Sequence, residues 1–140
     1  MSARPRVLFI CVKNAGTSQM PAGLMRHVAG GAAAVSSAGT RPGAAPNELS
    51  VASLREVGVD ITGEHPKAVT EDMVRAADVV VTLGAEAHVG EVAGTEFQTW
   101  ITDEPSERGI DGMERTGLVR DDIASGVREL AARLGAAPSS

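Results

Sequence analysis

Short apolar runs alternate with amphipathic stretches along the chain, and the two patterns mark different elements. The continuous apolar run at residues 7–10 is typical of a central strand that is covered on both faces of a sheet. The sequence predicts four strands, at residues 6–10, 32–37, 78–83 and 96–100. Strand–helix–strand units of this length join parallel strands through right-handed crossovers, so the predicted sheet is parallel.

Helical periodicity fills the intervals between these strands. The predicted helices cover residues 18–28, 46 or 47 to 57, 71–76 and 113–134. In the first of them, the residues expected to face the sheet are Met20, Leu24, Met25 and Val28. Thr70 is the expected N-cap of the third helix. The last helix carries one apolar stripe, made of Leu118, Val119, Ile123, Val127, Leu130 and Leu134.

This alternation predicts an α/β fold: a doubly wound, four-stranded parallel sheet flanked by helices on both faces. The length of 140 residues suits one domain spanning residues 1–140. In such sheets ligands bind beyond the carboxyl ends of the strands. Cys11 follows the first predicted strand, and the loop at residues 100–105 follows the last, so both belong to that edge.

Composition narrows the possible partners and compartments. Hydrophobic residues make up 43% of the chain and charged residues 22%, which is ordinary for a globular protein. The net charge of −5 argues against nucleic-acid binding. No apolar run approaches the roughly 20 residues of a membrane span, and no signal peptide is recognisable, so we expect a cytoplasmic protein that does not bind membranes. The three histidines have no ligand spacing and predict no metal site.

The segment after the first strand has the residues of an anion-binding loop. Small or turn-forming side chains at 14–16 let the backbone curl, and Thr17 and Ser18 are candidate helix caps. Backbone N–H groups of such a loop, together with a helix N-terminus, form an anion site. The chain's only cysteine, Cys11, lies at its mouth, where a thiolate would be stabilised. The alternative is a buried structural cysteine.

A cysteine, five residues, an arginine position and a serine after a buried strand are typical of low-molecular-weight protein tyrosine phosphatases and of the arsenate reductases built on the same fold. The chain resembles the arsenate reductase branch, and looks most like the single-cysteine, mycothiol-dependent arsenate reductases (arsenate–mycothiol transferases) of actinobacteria. Further matches, within about residues 5–134, lie at residues 37–40, 57–60, 78–83, 112–115 and 119–121, and at Trp100 with Glu104 and Pro105.

The resemblance implies a role for each loop residue. Cys11 would attack arsenate or phosphate, and Ser18 would hydrogen-bond its thiolate, a role compatible with capping the helix. The implied oxyanion-binding residues are Val12, Lys13, Asn14, Ala15, Gly16, Thr17 and Ser18. The family's general acid is the Asp before a proline, and Glu104 occupies that position here. Asp103 is the alternative acid, and the register of the motif, in which the acid directly precedes the proline, favours Glu104.

Position 17 departs from the family pattern, because Thr17 stands where the family has arginine. Losing a charge-assisted contact to a dianion costs on the order of 1.5–3 kcal/mol, about ten- to a hundredfold in affinity. Lys13, in the same loop, is the first candidate for the missing charge, and Arg41 is the second.

The single cysteine constrains the route of reduction. Members of the family that use thioredoxin carry extra cysteines and form an internal disulfide, which this chain cannot do. The resemblance therefore implies no bound cofactor, mycothiol as co-substrate, and a glutaredoxin-like partner of the mycoredoxin type. Two alternatives stay open: a phosphatase acting on phosphotyrosine or a small phosphoester, and a weakly catalytic oxyanion-binding protein. The absence of arginine at position 17 and the scarcity of aromatic residues disfavour the phosphatase.

Overall fold

The computed structural model describes residues 5–11, 19–41, 48–61, 67–84, 90, 92–100 and 112–135. Its strands are β1 (Arg6–Cys11), β2 (Ala34–Gly39), β3 (Val79–Leu83) and β4 (Glu96–Trp100). Its helices are α1 (Gln19–Ala29), α2 (Glu48–Arg55), α3 (Glu71–Ala76) and α4 (Gly112–Arg133), with a 3₁₀ turn at Gly30–Ala32. These bounds confirm the predicted elements to within about two residues.

The four strands form one parallel sheet, as predicted, and their order in the sheet is β2-β1-β3-β4. The apolar strands β1 and β3 occupy the two central positions, and β4 is at an edge. The second strand differs most from its prediction. It begins at Ala34 rather than at residue 32, because Gly30–Ala32 continues α1 as a 3₁₀ turn, and it extends to Gly39 beside Cys11.

Side chains of β1 alternate between two apolar clusters, one on each face of the sheet. Val7, Phe9 and Cys11 pack with residues of α1 and α4, and this face is called the α1/α4 face below. Leu8 and Ile10 pack on the opposite face with residues of α3, which is called the α3 face. This arrangement confirms the prediction of helices on both faces.

Close packing and one partly buried arginine hold the helices around the sheet. Gly23 lets α1 approach the segment at residues 59–61, since a Cβ at this glycine would lie only 2.9 Å from Cγ2 of Ile61. Arg120 of α4, only 14% exposed, donates hydrogen bonds from Nη1 to the carbonyl oxygen of Ser53 (2.9 Å) and to Glu56 Oε1 (3.0 Å). Helix α4 is thereby fixed to the C-terminal end of α2.

Three details of the helix predictions can be compared with the structure. Thr70 caps α3 as expected, because its Oγ1 accepts a hydrogen bond from the Met73 backbone N–H at 3.1 Å. Met20, Leu24 and Met25 of α1 are buried, as their spacing predicts. The apolar stripe of α4 was predicted one residue too wide, because Leu118 is 39% exposed. The other stripe residues pack on the core: Ile123, Val127 and Leu130 are buried, and Val119 and Leu134 are partly buried.

Candidate active site

The carboxyl edge of the sheet brings together the last residues of all four strands. Cys11 pairs in register with Gly39, and Leu83 pairs with Trp100. Two backbone hydrogen bonds continue the sheet past its last ladder rungs. One joins the Thr40 N–H to the Cys11 carbonyl oxygen (3.0 Å), and another joins Gly84 N–H to the Trp100 carbonyl oxygen (2.9 Å). The predicted nucleophile therefore lies at the edge where a doubly wound sheet binds its ligands.

Cys11 is the last residue of β1, which extends one residue beyond its predicted end at residue 10. It is 6% exposed and belongs to the apolar cluster of the α1/α4 face, together with Phe9 and Met20. Burial alone would suit a structural cysteine. A place at the carboxyl edge, directly before the loop, is what the nucleophile prediction requires, and the structure supplies it.

The strand beside Cys11 is braced from its other side. The Gly39 N–H donates to the Lys67 carbonyl oxygen (2.8 Å), and the Val69 N–H donates to the Gly39 carbonyl oxygen (3.0 Å). These bonds form a short parallel bridge between Gly39 and Ala68. The backbone next to Cys11 is therefore held by hydrogen bonds on both sides, which fixes the position of the Cys11 carbonyl end of β1.

Helix α1 places its N-terminus after the loop that begins at Cys11. The helix starts at Gln19, and its first turn contains no acidic side chain. The N-terminal end of a helix carries partial positive charge and favours anions, which an acidic side chain there would oppose. The residues predicted to bind the oxyanion, Val12, Lys13, Asn14, Ala15, Gly16, Thr17 and Ser18, lie outside the described residues. Their assignments stay predictions.

Trp100, the last residue of β4, reaches the same face of the sheet as Cys11. Its ring meets Phe9 edge-on, with ring centroids 5.8 Å apart and an interplanar angle of 63°. Its indole Nε1 donates to Gln98 Oε1 at 3.0 Å. Gly126 of α4 leaves space for the ring, since a Cβ at this glycine would lie 3.3 Å from the ring carbon Cζ3.

This aromatic contact was not predicted from the sequence. The one signal for it was a glycine inside the helical pattern of α4, a position that costs about 1 kcal/mol relative to alanine and so often has a packing reason. The predicted general acids, Asp103 and Glu104, follow Trp100 by three and four residues in the sequence. Both acids lie outside the described residues, so their roles stay predictions.

A cavity of about 200 Å³ lies between β4 and α4, away from Cys11. Its lining residues are Gln98, Trp100, Gly126, Glu129, Leu130 and Arg133. Beside it, Arg133 Nη2 bonds to Glu96 Oε2 at 2.6 Å. Hydrogen bonds from Arg133 and then from Gln98 lower the pKa of the Glu96 carboxyl. Both partners are substantially exposed, so this pair joins α4 to the edge strand without forming a buried ionic site.

Among the described residues, no three side chains of His, Cys, Asp or Glu lie close enough together to hold a metal ion. None of the helices in the described part of the chain is both long and apolar enough to span a membrane.

The chain is similar in sequence to one protein family and in structure to several solved proteins. The model of the low molecular weight phosphotyrosine protein phosphatases matches residues 6–138. An arsenate reductase from Bacillus subtilis is 30% identical over 138 residues, covering 89% of this chain and 94% of the relative. A solved structure of an arsenate reductase in the phosphate binding state has a TM-score of 0.81 and 26% identity, covering 93% of this chain and 98% of that one.

A third similar protein is longer than this chain. The structure of a thioredoxin-dependent arsenate reductase from Corynebacterium glutamicum has a TM-score of 0.82 and 34% identity. The match covers 96% of this chain but 63% of the Corynebacterium chain. This chain therefore corresponds to somewhat less than two thirds of that protein.

Proposed function

Since this chain belongs to the low molecular weight phosphotyrosine protein phosphatase family, we propose that it is an arsenate reductase of the arsenate–mycothiol transferase type. In this proposal the chain detoxifies arsenate in the cytoplasm by transferring it to mycothiol at the loop that begins at Cys11. The observation that carries the proposal is the place of the only cysteine, at the carboxyl edge of β1, in a chain similar to arsenate reductases.

The single cysteine supports an external thiol as the group that accepts arsenate. An internal disulfide needs two cysteines, and this chain has one. The thioredoxin dependence of the Corynebacterium protein belongs to a chain of which this one covers only 63%. We therefore assign reduction to a low-molecular-weight thiol and a glutaredoxin-like protein of the mycoredoxin type.

The proposed reaction has two stages with balanced bonds and electrons. In the first, the Cys11 thiolate bonds to As(V) and a protonated arsenate oxygen leaves as water, with Glu104 as the proton donor and Asp103 as the alternative. A mycothiol thiolate then bonds to arsenic and displaces the Cys11 thiolate. In the second stage, a thiol of the glutaredoxin-like partner attacks the mycothiol sulfur. The As–S bond breaks, its electron pair stays on arsenic as arsenite, and the two sulfurs form a disulfide.

We expect purified protein to release arsenite from arsenate with mycothiol and mycoredoxin, and not with thioredoxin alone. The reason is that thioredoxin needs a disulfide to reduce, and one cysteine cannot form one within the chain. Quantifying arsenite after equal incubation with each system checks the prediction. The control is the same mixture of arsenate, mycothiol and mycoredoxin without the enzyme, which measures uncatalysed arsenite release. Arsenite release with thioredoxin alone at the same rate would contradict the transferase mechanism, and no release with either system would contradict arsenate reduction.

Position 17 separates this proposal from a weakly catalytic oxyanion-binding protein. If the site is adapted to threonine, Thr17→Arg changes kcat/KM for arsenate by far less than the ten- to hundredfold that a charge-assisted contact is worth, about 1.5–3 kcal/mol. Arsenite release under the mycothiol system measures the effect, and Thr17→Gln, a long side chain without charge, is the matched control. A gain of tenfold or more in Thr17→Arg alone would favour a site that has lost its function in arsenate turnover.

A phosphatase is the second candidate, because the family's own description names phosphotyrosine phosphatases. Against it, Thr17 lacks the planar fork that binds two equatorial oxygens of a transferring phosphoryl group. Phosphate release from p-nitrophenyl phosphate and from a phosphotyrosine peptide tests this candidate on the same protein preparation.

A further inference from the structure

We propose that Arg41 supplies the positive charge that Thr17 does not, and that it binds the oxyanion held at Cys11. This inference rests on the proposed function, since it assumes an anionic substrate at the loop after β1. It deepens that function by naming a residue that sets affinity for the anion.

The backbone places Arg41 beside the end of β1. Gly39 pairs with Cys11 across the parallel ladder, where neighbouring strands are about 4.8 Å apart. The Thr40 N–H then donates to the Cys11 carbonyl oxygen at 3.0 Å. Arg41 follows Gly39 by two residues, so its Cα lies within about 7 Å of the Gly39 Cα. A long, flexible side chain therefore starts at the same edge as the thiol.

The Arg41 side chain is available for a ligand. It is exposed, and within the described ranges its guanidinium has neither an ion pair nor a hydrogen bond. The other described cation at this edge is Lys67, which lies one strand further from Cys11, on the far side of Gly39, and has interactions of its own. Of these two cations, Arg41 is the uncommitted one within the described residues.

The net charge of the whole protein favours a local cation at an anion site. A net charge of −5 repels an arsenate or phosphate dianion at long range. A guanidinium is planar and binds two oxygens of such an anion in parallel hydrogen bonds, whereas a threonine hydroxyl is a single neutral donor. One arginine at the edge of the sheet would offset the repulsion where the anion binds.

The test measures anion binding at Cys11 without requiring turnover. Iodoacetamide alkylates the single cysteine, mass spectrometry counts one adduct, and inorganic phosphate or arsenate bound at the loop slows the reaction. We expect Arg41→Gln to raise the phosphate concentration that gives half-maximal protection about tenfold. Arg41→Lys, which keeps the charge, is expected to retain most of the protection. The difference between Arg41→Gln and the unaltered protein should shrink when salt is raised, because salt screens a partly exposed pair.

Arg6→Gln is the matched control, because Arg6 is an exposed arginine on β1, at the opposite end of this strand from Cys11. It removes the same charge about 16 Å from Cys11, roughly two screening lengths at physiological ionic strength. We expect Arg6→Gln to match the unaltered protein. Equal protection in Arg41→Gln and Arg6→Gln would overturn the role of Arg41 and leave the proposed function standing. Absence of protection by either anion in the unaltered protein would instead count against the oxyanion site, and with it the proposed function.

Lys13→Gln tests whether the positive charge comes from the loop after β1 and not from Arg41. If Lys13→Gln abolishes protection while Arg41→Gln leaves it unchanged, the charge comes from the loop itself and the inference is wrong. Circular dichroism melts of each variant establish that any loss of protection is not a loss of fold. Isothermal titration of phosphate gives the same affinities without relying on access of the alkylating reagent to a cysteine that is 6% exposed.

Discussion

Cys11→Ser is expected to lower arsenite release at least about a thousandfold, because the thiolate is the group that bonds to arsenic and no other cysteine can replace it. A serine hydroxyl keeps a similar shape but is almost entirely protonated near pH 7. The prediction is checked by quantifying arsenite with the mycothiol system at saturating arsenate, and by comparing thermal unfolding of the two proteins.

The variant's stability must be separated from its chemistry. Cys11 packs in the apolar cluster of the α1/α4 face, where burying a serine hydroxyl is less favourable than burying a thiol. Cys11→Ala, which buries no polar atom, is therefore the matched variant, and both should be equally inactive. If either variant kept turnover within about tenfold of the unaltered protein, mycothiol would attack arsenate directly. Cys11 would then be dispensable for the transfer of arsenate to mycothiol.

The fold was predictable because the sequences of its two central strands, β1 and β3, contain continuous apolar runs. Residues of β1 and β3 are buried throughout except at the first position of β1, which is what a strand covered on both faces requires. The start of β2 was less predictable. The alanines before Ala34 fit a 3₁₀ turn and a strand equally well, so the boundary was decided by pairing with β1, which local sequence does not specify.

The exposed Leu118 shows where helical periodicity fails. Leu118 precedes Ile123 by five residues, about 140° around a helix, so it lies outside the buried stripe that Ile123 begins. Arg120 takes the neighbouring position toward α2 because its guanidinium binds Ser53. Its partner lies 67 residues away in the sequence, and no local pattern identifies it.

The candidate site likewise has features that local sequence predicts and features that it does not. Cys11 and its place after a buried strand follow from local sequence, and so does the edge of the sheet at which it lies. The contact between Phe9 and Trp100 does not, because β3 separates their strands and the ring of Trp100 finds its space at a glycine of α4. The sequence shows that Trp100 precedes the predicted acids, but only the fold shows that it is anchored on the face of Cys11.

Phe9→Ala is expected to lower the free energy of unfolding by about 3–5 kcal/mol, a large part of the 5–15 kcal/mol typical of a domain. Phe9 is fully buried at the centre of the sheet, between Val7 and Cys11, and its ring supports Trp100. Removing it leaves a cavity that β1 cannot close, because hydrogen bonds to strands on both sides hold it in place. Urea unfolding, followed by the fluorescence of the only tryptophan, measures the change.

Phe97→Ala is the matched control, because Phe97 is the only other phenylalanine and lies on the edge strand β4. Its side chain is only partly buried, on the α3 face, opposite to Trp100. We therefore expect it to cost clearly less than Phe9→Ala and to leave the native emission of Trp100 unchanged, whereas Phe9→Ala shifts that emission. Equal losses of stability in the two variants, with Trp100 emission unmoved in both, would mean that the ring of Phe9 does not anchor Trp100.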